Sequence, residues 1–355
     1  MTKKIKARGD NRRALFEDKM KKVVKFNSGI CATLIAFLSV GCIPAPHEDE
    51  ITVYMPDGAP ALSMAHMMAN DCAEDGVTYL VTSANKIPST LTNFEMEKNA
   101  DLCILPLTAA AKLVGSGEDY TMLGGVTHGN LYLVSKTRAT LSLETMDELI
   151  GKKVGVLQMQ NVPGLTLKVT LEKHGLSWSE MTNEGGMYED TVNLVAISGP
   201  EAVGGMDADY FLLGEPSASA QAGKGYKIVG DLQALYGGEE GYPQAVLVVK
   251  NTLLAEREDW VKNFVLEVSK GKEWLQKASG AKIVDTISAH MQDPAMVTSL
   301  KASFLTQEVI ARCSIRFVYA VDCKDRTKTL LEEYVRVQAN ATAIPSETFY
   351  WSYHG

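Results

Sequence analysis

No CxxC pair occurs among the six cysteines, and no cluster of cysteine and histidine has zinc-ligand spacing. The six histidines, at 47, 66, 128, 174, 290 and 354, never pair at ligand spacing. GxSxG, GxGxxG, Walker A and HExxH sequences are also missing, which removes the commonest hydrolase, dinucleotide, nucleotide-phosphate and zinc-peptidase readings. An enzyme needs a nucleophile with its base, a metal set or a cofactor cradle, and no such set is legible; no cofactor is expected. Positive charge is scarce too. Ten of the 35 Lys and Arg, but only three of the 43 Asp and Glu, lie in the first 42 residues, so the remainder carries 25 basic against 40 acidic side chains. That balance, near −15, argues against nucleic acid as a partner, since binding phosphate takes clustered cations. Beyond the leader there is no second run of membrane-spanning length.

What is present begins with "LIAFLSVGCIPAPHEDE" at 34 to 50, where an apolar run ends on Cys42 and turns at once into proline and acid. Lys21, Lys22 and Lys25 precede a stretch of about 11 apolar or small residues, the order of a secretory signal and too short for a permanent span. A cysteine directly after small residues resembles the lipobox of bacterial lipoproteins, which implies lipidation of Cys42 and a place on the extracytoplasmic face of the cell membrane. An uncleaved anchor and a structural cysteine are the other readings. Met20 opens "MKKVVKF", a normal signal start, so 1–19 reads as an upstream extension, 20–41 as the signal peptide and 42–50 as a linker. Cys103, inside "LCIL", reads as a small hydrophobe; Cys313 and Cys323 bracket "SIRFVYAVD" and either pair or stay free.

The chain repeats itself. "VYMPDGAPALSMAHMM" at 53–68 and "VGVLQMQNVPGLTLKV" at 154–169 both give strand, polar loop, proline and helix. "ADLCILPLTAAAKLV" at 100–114 and "ADYFLLGEPSASAQA" at 208–222 share Ala-Asp, an apolar run and small residues. "THGNLYLVSK" at 127–136 and "GYPQAVLVVK" at 241–250 each put polar groups before an aliphatic strand ending in Lys. Three landmarks in the same order twice predict two lobes of one architecture. Short apolar runs alternating with helical patterns predict α/β units. The expected strands are 51–55, 77–82, 101–105 and 121–126, then 153–157, 192–197, 208–213 and 226–229. Helices are expected at 60–70, 87–98, 107–115, 163–175, 199–204 and 216–223, with a wholly helical tail after about 250. Met64, Met67 and Met68 read as core.

Taken together, "MPDGAPAL", "ADLCILPLTAAAKL", "GKKVGVLQ" and "ADYFLLGEPSASA" resemble the type II periplasmic binding proteins, within them the nitrate/sulfonate/taurine and thiamine-precursor group. The resemblance runs from about 51 to 335. It implies two doubly wound α/β lobes with a ligand cleft between them and extra C-terminal helices, lobe 1 being 51–135 with 246–355 and lobe 2 being 136–245. It also implies a monomeric substrate-binding subunit of an ABC importer, with a small-molecule solute and a membrane permease and its ATPase as partners. Enzymes share the fold, namely pyrimidine-precursor synthases and chorismate-dehydratase-like proteins; the synthase's cysteine cluster is missing here.

In open α/β sheets ligands bind off the carboxyl ends of the strands, where helix starts offer free N–H groups. The candidate residues are those of such loops. From the first lobe they are Asp57, Gly58 and Ala59 after the first strand, Ser83 and Asn85 after the second, Thr108 at a helix start, and His128 and Asn130 before the crossover. From the second lobe they are Gln158, Gln160 and Asn161, whose amides both donate and accept, with Ser198, Glu215 and Tyr242. Glu215 is read as accepting from an amine or amidine, or as complementing its own helix; Thr108 reads also as a plain N-cap. Tyr54 and Gln244 are further candidates for the cleft wall.

Overall fold

The computed structural model describes residues 50–70, 76–92, 99–115, 117, 119–182, 185–238, 240–353 and 355. Cys42, Cys72 and the whole leader lie outside the described residues.

Among the described residues twelve strands form two six-stranded sheets, each flanked by helices. In chain order the strands are β1 (Ile51–Pro56), β2 (Val77–Thr82), β3 (Leu102–Pro106), β4 (Tyr120–His128), β5 (Leu131–Ser135) and β6 (Lys153–Leu157), then β7 (Trp178–Met181), β8 (Val192–Ile197), β9 (Tyr210–Gly214), β10 (Lys227–Asp231), β11 (Pro243–Lys250) and β12 (Ile315–Tyr319). The first sheet runs β2-β1-β3-β11-β4-β12, the second β7-β8-β6-β9-β5-β10. β1 is buried along its whole length, as a parallel strand covered on both faces should be, which is why "ITVYMP" reads as a run and not as an alternation.

The repeat inferred from the residues is the repeat of the fold. β2-β1-β3-β11-β4 matches in order and direction β8-β6-β9-β5-β10: three parallel strands, one antiparallel strand, then a fourth parallel to the first three. The antiparallel members are the two crossovers. β5 leaves the first sheet to pair with β9, and β11 returns to pair with β3 and β4, so each lobe completes its sheet with a strand handed over by the other. This corrects the boundaries drawn from sequence. The strand 131–135 belongs to the second sheet and Pro243 already to the first, because a crossover strand is defined by what it pairs with, which its own residues do not say.

Other boundaries move for similar reasons. The helix expected over 60–70 is two short ones, Ala59–Leu62 and Ala65–Ala69, and Met64, Met67 and Met68 are buried as expected. The stretch 199–204 is a 3-10 turn from Pro200 to Gly204, and 216–223 is a short helix Ser217–Ala220 continued by a 3-10 turn to Lys224. The tail is not wholly helical: β12 adds to the outer edge of β4, and its half-exposed face lacks the continuous apolar run that marks the inner strands. β7, shorter still and also largely half-exposed, adds to the far edge of the second sheet.

Two helices carry the lobe-to-lobe packing. Val162–Lys173, starting from β6, is buried at ten of its twelve positions, including Thr166, Lys168 and Thr170. The helix Ala320–Val337 covers one side of it: the Thr166 and Tyr334 hydroxyls are 2.6 Å apart, and Lys168 Nζ donates to Gln338 Oε1 at 2.7 Å and to Glu180 Oε1 at 2.5 Å. A helix enclosed on all sides needs no polar stripe, only partners for each polar atom.

Cys103, Cys313 and Cys323 are buried free thiols, so the open pairing of Cys313 with Cys323 is not made. Burial pushes the Cys103 thiol up to about 12, which fits its reading as a small hydrophobe. Among the described residues no helix is long and apolar enough to cross a membrane, and no group of three or more His, Cys, Asp or Glu is placed to hold a metal ion.

Candidate binding site

The carboxyl ends of the two sets of parallel strands face each other. β12 runs antiparallel to β4 with Ile315 opposite Thr127, so the helix Gln307–Arg312 just before it lies at the carboxyl end of the first sheet. From there Arg312 Nε donates to Glu215 Oε1 at 2.7 Å, and Glu215 follows β9 at the carboxyl end of the second sheet. Glu215 is fully enclosed at its side chain and also accepts from the Ser219 N–H at 3.0 Å and the Ser219 hydroxyl at 2.6 Å. A second Arg312 nitrogen donates to Ser219 Oγ at 2.7 Å, a third to Glu308 Oε1 at 2.5 Å, and the Tyr132 hydroxyl donates to the Arg312 carbonyl at 3.3 Å. Glu215 thus accepts both from its own short helix, at Ser219, and from Arg312. Nothing in "GEP" reveals a guanidinium 97 residues downstream.

Asp57 also has partners within the protein. Its carboxylate accepts from Thr298 Oγ1 at 2.5 Å and from the Ser299 N–H at 2.6 Å, which ties the loop after β1 to the C-terminal segment. Gly58 beside it has φ 101° and ψ −145°, a backbone glycine adopts freely, and the space where a Cβ would stand is open. Ala59 is buried at the head of its short helix. Ser83 is half-buried and Asn85 exposed. Thr108 is not an N-cap: Pro106 holds that position with no side-chain bond, and the Thr108 hydroxyl is buried without a partner.

Where the chain crosses between the sheets the residues turn inward. His128 is 1% exposed, its ring lies against Gly125, and neither ring nitrogen makes a well-formed hydrogen bond. Burial pushes its pKa down to about 3, and the charge of Arg316 adds to the shift. Asn130, at φ 138°, is buried with its side-chain carbonyl unpartnered, while its backbone carbonyl accepts from the Glu215 N–H at 2.9 Å. Tyr242 is buried and donates to Gln233 Oε1 at 3.0 Å; Tyr54 is buried in β1, and Gln244 is half-buried with Oε1 unpartnered. In the loop after β6, Gln158 and Asn161 are exposed, and Gln160 is shared between Glu180, at 2.9 Å, and Gln338. Ser198 is exposed after β8.

Between the lobes, beside the Glu215 loop, lies a cavity of about 430 Å³. Pro200, Glu201, Pro216, Gln221 and Lys224 line it from the second lobe, and Ser299, Lys301 and Phe304 from the segment that Asp57 anchors. The volume is that of a small-molecule site, and the walls follow β8 and β9, where the sheet places ligands. The sequence reading reached the loops "ISGPE" and "GEP" but not Gln221, Lys224 or 299–304. The last of these lie in a tail whose approach to the cleft is a matter of tertiary packing alone.

Solved structures share this architecture. An ABC transporter structure from Parabacteroides distasonis is 19% identical, with 86% of this chain and 99% of that one covered, at a TM-score of 0.65. The chain has the type II periplasmic-binding-protein fold. The same fold relates it to the periplasmic aliphatic sulphonate binding protein SsuA of Escherichia coli, 11% identical over 86% of this chain and 92% of that one, at 0.62. The alkanesulfonate-binding SsuA of Xanthomonas axonopodis pv. citri, bound to MOPS, is 13% identical over 84% and 98%, at 0.54. No protein-family model and no curated relative matches the chain.

Proposed function

We propose that the chain is the substrate-binding lipoprotein of an ABC importer. It captures a small organic solute between its lobes, of the sulfonate or taurine kind or the thiamine-precursor pyrimidine kind, and delivers it to a membrane permease and its ATPase. The observation that carries this reading is the facing of two equivalent sets of βα loops across a cavity, bridged by Glu215 and Arg312. A ligand that touches both lobes stabilises their closed arrangement, and a carrier needs no more chemistry than that. The fold neighbours named as transport proteins support the same reading. The protein acts as a monomer, held at the extracytoplasmic face by lipid on Cys42.

Native mass spectrometry of protein purified from its host tests the capture: a bound small solute, released unchanged after prolonged incubation, is expected. Conversion of that solute to a new compound would move the chain to the enzymes of this fold. Cys42→Ala tests the anchor, and is expected to leave an unprocessed or soluble protein with no acyl mass on its N-terminal peptide.

A further inference from the structure

The chain passes between the sheets twice, and the two passages touch. Outward, only Gly129 and Asn130 separate β4 from β5; the return runs from β10 through the helix Leu232–Tyr236 to β11. A Cβ on Gly129 would overlap the Gln233 side chain, and one on Gly241 would overlap the His128 carbonyl, so neither point has room for a side chain. Gln233 joins the passages. Its Oε1 accepts from the Leu131 N–H at 2.9 Å and from the Tyr242 hydroxyl at 3.0 Å, and its Nε2 donates to Asp231 Oδ1 at 2.9 Å. A donor at one end and a carboxylate at the other fix which way the amide faces. Asp231 is itself held, because the same oxygen accepts from the N–H groups of Gln233 and Ala234 at the start of that helix. Leu131 and Tyr242 are each 1% exposed, so neither donor has water to turn to if the amide leaves.

We propose that Gln233 is a positioning residue of the solute site: by holding both passages to one carbonyl oxygen it makes them turn together, and so keeps the walls brought by the two sheets in register. When one lobe rotates on another, the few residues that link them absorb the change in φ and ψ. Two links free to turn separately let the lobes twist and slide as well as close. An oxygen shared between the links permits only motions that carry Leu131 and Tyr242 with it; any other motion strands a buried donor. Each further orientation open to the lobes lowers the fraction of molecules in the binding arrangement, and the apparent affinity falls with that fraction. The role needs no contact between Gln233 and solute. The inference rests on the reading of the chain as a solute-binding protein and names what holds its two walls to one geometry.

Hydrogen–deuterium exchange of the full chain, with no solute added, tests this. Gln233→Met keeps the length of the side chain and removes both bonds to Oε1. Exchange over 129–133 is expected to quicken about tenfold, the worth of one hydrogen bond to a buried group. The reading that separates coupling from local support lies elsewhere, over 334–338, where Tyr334 meets Thr166 and Gln338 meets Lys168 across the lobes. There exchange should quicken too, by about threefold or more, because lobes that twist loosen every contact between them. Tyr242→Phe fills the same space and drops one of the two bonds, so it should show the same pattern at smaller amplitude, and it decides the matter if Gln233→Met does not fold. Faster exchange confined to 129–133 and 240–245 would make Gln233 a local brace and overturn the proposal, as would exchange unchanged throughout. Either result leaves the carrier reading standing. If the protein instead transforms the solute that copurifies from its host, the carrier reading falls, and the coupling of the passages is still judged by exchange alone.

Discussion

Removing the guanidinium of Arg312 strands the Glu215 carboxylate among Ser219 and the backbone with no solvent at its side chain. Breaking a buried ion pair from one side costs about 3–5 kcal/mol, and the low end applies because a quarter of the Arg312 side chain faces water. Arg312→Ala should therefore lose about 3 kcal/mol in urea unfolding, and Glu215→Gln combined with Arg312→Met should recover part of it. His128 makes a different statement. Its folded pKa of about 3 lies below the ordinary 6.5, so the unfolded chain binds the extra proton. The stability this neutral ring preserves is fully present above about pH 6.5 and drains as pH falls toward 3, at up to about 1.4 kcal/mol per pH unit. Unfolding free energies of wild type and His128→Gln between pH 7 and 4 should converge as pH falls; parallel curves would show that the ring does not titrate there.

At the scale of elements, the entry into the first helix turns on Gly58. Open space lies around it, so Gly58→Ala meets no clash and only backbone strain at φ 101°, about 1–3 kcal/mol, readable as a lowered thermal midpoint. Lys168 offers the opposite case. It is wholly enclosed by packing, yet its partner Glu180 keeps 39% of its side chain in solvent. Lys168→Met retains the stem and lets Glu180 return to water, so a change under about 1.5 kcal/mol is expected, against a large loss for Lys168→Glu. The inner strands were legible because burial on both faces forces an unbroken apolar run, as in "LCIL" and "YFLL". β7 and β12 were not, since an edge strand needs no such run. The loops that bear candidate residues were legible as loops, from Gly58 and from the prolines after β8 and β9. Which of their side chains face inward was not, because Asp57 and Glu215 are claimed by Thr298, Ser299 and Arg312, all more than 90 residues away.

For the whole molecule, the carrier reading makes the bridge from Arg312 to Glu215 a term in the balance between open and closed lobes. The two groups come from opposite sheets, so separating the lobes would part them, whereas Thr166 on Tyr334 joins the lobes through two packed helices. In that reading the bridge stabilises closure before any solute arrives. A protein biased toward closure holds its solute tightly and admits it slowly; removing the bias reverses both, because the solute must then supply the closing free energy itself. If Arg312→Ala lowers the closed fraction from about nine-tenths to about one-tenth, apparent affinity falls by about tenfold. Small-angle scattering without solute should show the parent compact and Arg312→Ala with a larger radius of gyration, and adding the solute that copurifies should shrink the variant more than the parent. Stopped-flow association should run faster in the variant. Identical scattering from both proteins would mean that the pair only anchors the Gln307–Arg312 helix on the Glu215 loop and that closure is governed elsewhere.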